Sequence, residues 1–368
     1  MATLTGSQGS RASGVVAGYV LKLARQSAGL TQDRLAEALA ADVTTIQGWE
    51  SGRRPLSAMT TGDFVRLGAR LTRLGAPPAT GRRLHEAVEA DLVLGAGITA
   101  AGQWIEPDAH PLAAQVHRHS LTNLITWPLT GMLPPQLAEF TPRIPRRGPV
   151  ARHPSVSADA KNRFYDHLLT VAERGIRPQA ALLRRQAVYL LGFDRRPHVT
   201  DWLYDEWRRV SRRRPPDGDI PALMVARSAS VALASAGDST RLHDFVTTTS
   251  GTAAEVANLN YWAYRTGELT GDQTSDDFMA HDHPGQWAGV RLLRHLIARL
   301  DPALPHLPLN LHTVHALVAS RPVLLTGWPG IRTSLTVALD RIASSDALTR
   351  TGHDQVAGLR YALRIANR

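Results

Sequence analysis

Between Val15 and Pro55 the chain starts and stops three times at helical period, which leaves no room for strands and calls for a tight cluster of short helices. In VVAGYVLKLARQSA, residues 15 to 28, Val16, Val20, Leu23 and Ala24 recur at the 3.6-residue spacing of a first helix. Gly29 closes it, as glycine does where positive φ is needed. Thr31 suits an N-cap, and Leu35, Ala36 and Leu39 form the inward stripe of a second helix. Ala40 and Ala41 carry the turn. Asp42 is the next N-cap, Ile46 and Trp49 point inward from a third helix, Gly52 ends it, and Pro55 bars easy continuation.

Two of these helices cross through a tight turn, as in a helix-turn-helix. The outer face of the third shows Thr44, Thr45, Gln47, Gly48 and Ser51, small or amide residues with no carboxylate. Such a face suits a DNA major groove. Glutamine can meet adenine N6 and N7, threonine can bond or offer its methyl to thymine, and glycine permits close approach. Gly48 costs about 1 kcal/mol of helix propensity; close docking or a tight helix crossing would each account for it.

Arg25, Gly29-Leu30-Thr31-Gln32, Leu35-Ala36, Leu39, Ile46, Trp49-Glu50, Gly52 and Arg54-Pro55 together resemble the Xre-type, lambda-repressor-like helix-turn-helix family over roughly residues 15 to 70. The resemblance implies that Gln32 fixes a DNA phosphate and that Val43, Thr44 and Gly48, with their neighbour Gln47, face base edges. It also implies a buried ion pair between Arg25 and Glu50. The chain departs from the family at Ala40, where glycine is usual. A fourth helix is expected near Gly62 to Leu74, with Phe64, Leu67 and Leu71 inward and Arg66, Arg70 and Arg73 on the polar side. With Thr45, Arg53 and Arg54 as further phosphate contacts, these arginines suit a backbone track or an ordinary solvated face. A homodimer on double-stranded DNA is the expected assembly, because one such unit buries little surface on DNA.

The bulk numbers agree with this reading without selecting it. The chain has 368 residues, enough for two or three domains. Its net charge of +10 favours polyanions at long range. It has no cysteine, so disulfides, thiolate zinc sites and cysteine nucleophiles are excluded. MATLTGSQGSRASG lacks the apolar core of a secretory signal, and LVLGAGITAAG at residues 92 to 102 is short for a bilayer span. A cytoplasmic location is expected.

The fold class expected is all-α. Residues 1–13 form a flexible N-terminus, 14–75 a four- or five-helix lambda-repressor-like domain, 76–84 a linker, and 85–368 a mostly helical regulatory or dimerisation region. A Pro/Arg-rich loop containing Arg143, Arg146, Arg147 and Arg152 lies at 134–157. Gly95-x-Gly97-x-x-Ala100 has the outline of a dinucleotide turn. No acidic residue stands about 20 positions on, and no βαβ series surrounds it, so helix packing is the better reading. From Asp159 onward, runs such as VTDWLYDEWRRVSRRR resemble stacked helix pairs of the tetratricopeptide kind, without a clean repeat of about 34 residues. Arg208, Arg209, Arg212, Arg213 and Arg214 suit a helix C-terminus, or an interaction with DNA, RNA or an acidic partner.

Asn258, Asn260, Tyr261, Trp262 and Tyr264 suit either a pocket for an unknown small-molecule effector or a core with satisfied amides. Their run resembles one in the long C-terminal region of large actinobacterial Xre-type regulators. His281, Asp282 and His283, after Asp276 and Asp277, match no standard zinc or calcium spacing. His110, His117 and His119 are scattered, as are His306, His312 and His315, and there is no nucleophile elbow or P-loop. No enzyme, cofactor or metal is therefore expected. The alternatives are a helical protein-interaction scaffold tethered to DNA with little sequence preference, and an enzyme using Asp and His groups around residues 276 to 315.

Overall fold

A computed structural model describes residues 14–140, 152–213, 219–249, 251–280, 287–345 and 348–367. All regular structure among the described residues is helical, and the chain divides into two compact units, one ending at Arg174 and the other starting at Gly175. None of the described helices is long and apolar enough to cross a membrane. The expected flexible residues 1–13 lie outside the described residues, as do Arg143, Arg146 and Arg147 of the Pro/Arg-rich segment.

The first unit opens with α1 (Val15–Ser27), α2 (Gln32–Leu39), α3 (Val43–Glu50) and α4 (Thr61–Arg73). Thr31 caps α2 by accepting from Arg34 N, whereas Asp42 stands before α3 without making a side-chain cap. Val16, Val20, Leu23, Leu35, Ile46, Leu67 and Leu71 form the core expected from their spacing. Leu30, Leu39, Trp49 and Phe64 are only half-buried. The expected linker is shorter than 76–84, because α5 (Thr80–Ala100) begins inside it. α5 packs on α1, α4, α6 (His119–Thr130) and α7 (Ala158–Arg174), so the opening helices share a core with the region that follows them.

Backbone requirements explain several small residues. A Cβ on Gly18 would lie 2.3 Å from Trp49 O, so α1 touches the end of α3 only because Gly18 has no side chain. Gly52 (φ +74°) meets Gly14 in the same contact. Ala40 ends α2 in the left-handed region (φ 50°, ψ 45°), a conformation that costs an L-residue about 1 kcal/mol or more. Gly97, from the dinucleotide-like outline, lies inside α5, where a Cβ would come 2.6 Å from Phe164 Cδ2 of α7.

Two buried polar devices tie this unit together. The first turn of a helix leaves free N–H groups, and Gly14 brings no side chain to α1. Asp91 of α5 supplies the cap instead, accepting from Val16 N at 3.0 Å and Ala17 N at 2.8 Å. Burial pushes its carboxyl up to about 7 against the pull of those two bonds.

The second device is a histidine relay. Leu112 N donates to His110 Nδ1 (3.0 Å), so that nitrogen carries no proton. His167 Nδ1 lies 2.9 Å from Gln103 O and must donate to it. Two neutral rings then place His110 Nε2–H against the bare His167 Nε2, 2.8 Å away, with the ring planes within 9° of each other. A further proton on either ring would set two N–H groups face to face. Burial, and then the charge of the neighbouring ring, hold His110 down to about 4; burial also lowers His167.

The second unit contains α8 (Ala181–Leu191), α9 (Pro197–Arg213), α10 (Ile220–Ser235), α11 (Thr240–Thr249), α12 (Ala253–Thr266), α13 (Val290–Ile297), α14 (Leu307–Ser320), α15 (Val323–Thr326), α16 (Pro329–Ala343) and α17 (Arg350–Ala366). α10 and α14 are apolar or small nearly all round, the pattern of helices buried on every side. α10 packs on α8, α9 and α11, while α14 packs on α11, α12, α13 and α17. Val231, Ala234, Leu242, Phe245, Val246 and Leu309 form a core between them.

Two outcomes follow. Ala40→Gly relieves the left-handed alanine and should stabilise α2 and α3 by about 0.5–1 kcal/mol, seen as roughly two- to fivefold slower amide exchange there. Unchanged or faster exchange would refute the strain. For His110, the unfolded chain gains a proton near its ordinary value of about 6.5, while the folded chain resists it down to about 4. Its contribution to stability is thus complete above that window and lost as pH falls through it. His110→Gln should lose less stability than the parent on acidification across the window, in denaturant titrations. Equal losses would rule out the neutral relay.

Candidate nucleic-acid interface

The outer face of α3 is held by one carboxylate. Glu50, at the end of α3, accepts from Arg25 Nε at 2.5 Å and Arg25 Nη2 at 3.0 Å, a two-pronged pair with α1. Gln32 Nε2, from the first residue of α2, donates to Glu50 Oε2 at 2.8 Å. Arg25 Nη1 also donates to Leu30 O at 2.6 Å, fixing the turn between α1 and α2. Both charged side chains are nine-tenths buried or more. Arg25 and Glu50 thus pair as the resemblance implied, and Gln32, expected at a phosphate, has one amide hydrogen committed to Glu50 and a second left over.

The candidate base-facing residues fare unequally. Thr44 and Gln47 are exposed on α3, and Val43 is half-buried at its start. Gly48 is buried, because the Arg54 side chain lies across it; a Cβ there would stand 3.0 Å from Arg54 Cδ. In this conformation Gly48 makes way for an arginine stem, a crossing that the spacing of the residues did not indicate. Arg54 then reaches Thr45, donating from Nη1 to Oγ1 at 2.9 Å. Two expected phosphate contacts are thus bonded to each other at the surface. Arg53 is exposed and donates to Ser51 Oγ at 3.2 Å.

Arg66, Arg70 and Arg73 are exposed on α4, with Arg66 paired to Asp63 at 2.7 Å. An open groove of about 670 Å³ separates the end of α2 from α4, with Leu39, Trp49, Met59 and Leu67 on its walls and Arg66 and Arg70 at its rim. This groove explains why Trp49 is only partly covered.

The candidate effector residues of the second unit are buried, and most of their polar atoms bond within the protein. Asn258 accepts from Arg227 Nε at 2.8 Å and donates to Thr313 Oγ1 at 3.1 Å. Asn260 donates to Met279 O at 3.0 Å. Tyr261 accepts from Arg265 Nη1 at 2.8 Å, and Tyr264 packs against Phe278. The core reading suits these amides. An open cavity of about 920 Å³ lies instead among Ile176, Arg177, Leu182, Arg184, Arg209 and Asp276. Arg184 and Arg209 share the single buried Glu206, each at 2.7 Å, which gives Arg209 a structural role. The side chains of Arg212, Arg213 and Arg214 lie outside those described.

The described Asp and His groups between residues 276 and 315 do not converge on one centre, although His312 and His315 both lie near Glu255. Asp276 pairs with Arg185 (2.6 and 2.7 Å), His306 meets Ser235 (3.2 Å), and His312 meets Gln355 and Glu255 (3.2 and 3.5 Å). Among the described residues no three His, Asp or Glu side chains form a metal-ligand group; His281, Asp282 and His283 fall outside them. No family model matches the chain, and neither a curated protein nor a solved structure does.

Glu50→Gln leaves Arg25 buried with a neutral partner and should cost about 3–5 kcal/mol in denaturant unfolding. Arg25→Met combined with Glu50→Leu removes both charges and should recover most of that loss. A double variant as unstable as the single one would show that the hydrogen bonds to Leu30 and Gln32, rather than the ion pair, carry the junction.

Proposed function

We propose that this protein is a sequence-specific DNA-binding transcriptional regulator of the Xre-type helix-turn-helix kind, with α3 entering the major groove. The observation that carries the reading is the pairing of an exposed Thr44–Gln47 face with a rigid back, where the Glu50 carboxylate joins α1, α2 and α3. A recognition element needs both, because base edges are read by side chains whose backbone is already fixed. Gln47 makes the principal base contact, Thr44 and Val43 flank it, and Gly48 contributes by making way for Arg54.

Gln32, Thr45, Arg53 and Arg54 contact phosphates. Arg54 exchanges its exposed bond with Thr45 for a phosphate oxygen, a small cost because that bond is already in water. Gln32 uses its remaining amide hydrogen, aimed by Glu50. We infer a homodimer that reads two half-sites about 34–36 Å apart or a multiple of that distance. The second unit, read as stacked helix pairs of the tetratricopeptide kind, serves pairing or signal reception.

Selection of bound sequences from random duplex at fixed salt should return a symmetric consensus. On that consensus Gln47→Ala should lose about 1–3 kcal/mol while its binding to random DNA barely changes. Gln32→Ala and Arg53→Ala should weaken binding to all sequences alike, and Arg53→Ala should flatten the salt slope by about 1. Equal losses for Gln47→Ala on every sequence would favour a tethered scaffold. Failure to bind any duplex would end the reading.

A further inference from the structure

Burying a guanidinium without a carboxylate is unusual, because the loss of hydration is worth several kcal/mol and needs compensation. α10 carries such a group. Arg227 is 3% exposed on a helix whose neighbours are almost all apolar or small. Its Nε donates to Asn258 Oδ1 at 2.8 Å, and neither Nη1 nor Nη2 donates to any described residue. No described carboxylate lies within ion-pair distance of it. The one acid of this cluster, Asp276, has both oxygens on Arg185.

What surrounds Arg227 is more positive charge and aromatic rings. The guanidinium carbons of Arg227, Arg185 and Arg265 stand 4.8, 5.2 and 5.4 Å from the centre of the Tyr261 ring, and Arg227 also lies 5.4 Å from the Trp262 ring. Ring faces attract such cations more weakly than a carboxylate does. Buried polar atoms without partners occur on the elements near Arg227. Among the described residues, Trp262 Nε1, Ser230 Oγ one turn along α10 and His306 Nδ1 have no hydrogen-bond partner. His306 is close enough for the charge of Arg227 to help hold it at about 4, after the larger effect of burial.

We propose that Arg227, with Trp262 Nε1 beside it, binds a small oxyanion, the phosphate or carboxylate group of a compact ligand, inside the second unit. A planar guanidinium with two free ends suits two oxygens of one such group. An indole N–H is a donor only, so it too selects an acceptor. The field agrees: burial opposes ionisation of Tyr261, yet Arg265, Arg185 and Arg227 together bring its phenol down to about 8. An anion on Arg227 would offset part of that field. This site does not depend on the DNA reading.

The test uses the full chain, with inorganic phosphate in one arm, acetate in another and chloride at equal ionic strength as the reference. Calorimetry should show saturable binding of about one anion per chain, and the arm that responds tells phosphate from carboxylate. Arg227→Met should weaken that binding roughly ten- to hundredfold while holding or raising stability in anion-free buffer. Trp262→Phe should weaken it about two- to tenfold. Saturation should also raise the tyrosinate titration midpoint of Tyr261, followed by near-ultraviolet absorbance in the wild-type protein, a readout that needs no variant to fold. If neither phosphate nor acetate exceeds chloride, or if Arg227→Met responds as the parent does, Arg227 is an aromatic-caged structural cation and the proposal fails.

Discussion

A single carboxylate sets the geometry on which the first unit's candidate surface depends. Glu50 has one oxygen on Arg25 Nε and the other shared by Arg25 Nη2 and Gln32 Nε2, so α1, α2 and α3 meet at one buried point. A two-pronged arginine pair fixes orientation as well as distance. The apolar contacts of Ile46 and Leu35 hold the helices together, but contacts of that kind are non-directional. The ion pair is what stops α3 from rolling about its axis. Gly18 and Gly52 then let α3 come close enough for the pair to close.

The same unit shows how buried polar groups specify an arrangement. Asp91 is raised to about 7 because its environment is costly for a charge, yet it stays because it satisfies two N–H groups that α1 cannot satisfy alone. The His110–His167 relay works in the opposite protonation sense, as two neutral rings whose donors and acceptors alternate. Each device joins α1 or α7 to α5 or the loop after it. A shift of either partner by an ångström or two would leave a buried donor or acceptor without its bond, which costs more than a poor apolar contact.

The second unit has a different character. Its two central helices are buried on all sides, yet α10 carries Arg227, and α12 presents amides and phenols to it. Glu206 serves two arginines and Asp276 serves one, so the interior holds more cations than described acids to match them. A core of this composition is organised by charge as well as by apolar burial.

Much of the local structure could be read in the chain itself. The period of Val16, Val20 and Leu23, the cap at Thr31, the stop at Gly29 and the turn at Ala40 all appear where the residues call for them, because these effects act within a few positions. Pairing of Arg25 with Glu50 was legible through resemblance, and the core role of Asn258 was one of two readings. The α5 cap on α1, the relay between His110 and His167, the Arg54 stem over Gly48 and the isolation of Arg227 were not legible. The Asp91 and histidine contacts join residues 57 to 75 positions apart. Helical period says which side of a helix is apolar, and says nothing about which distant polar group will face it. The sequence determined where helices begin, end and bury a face; only the tertiary structure decided which buried charges would meet a partner, because burial exists only once the helices have packed.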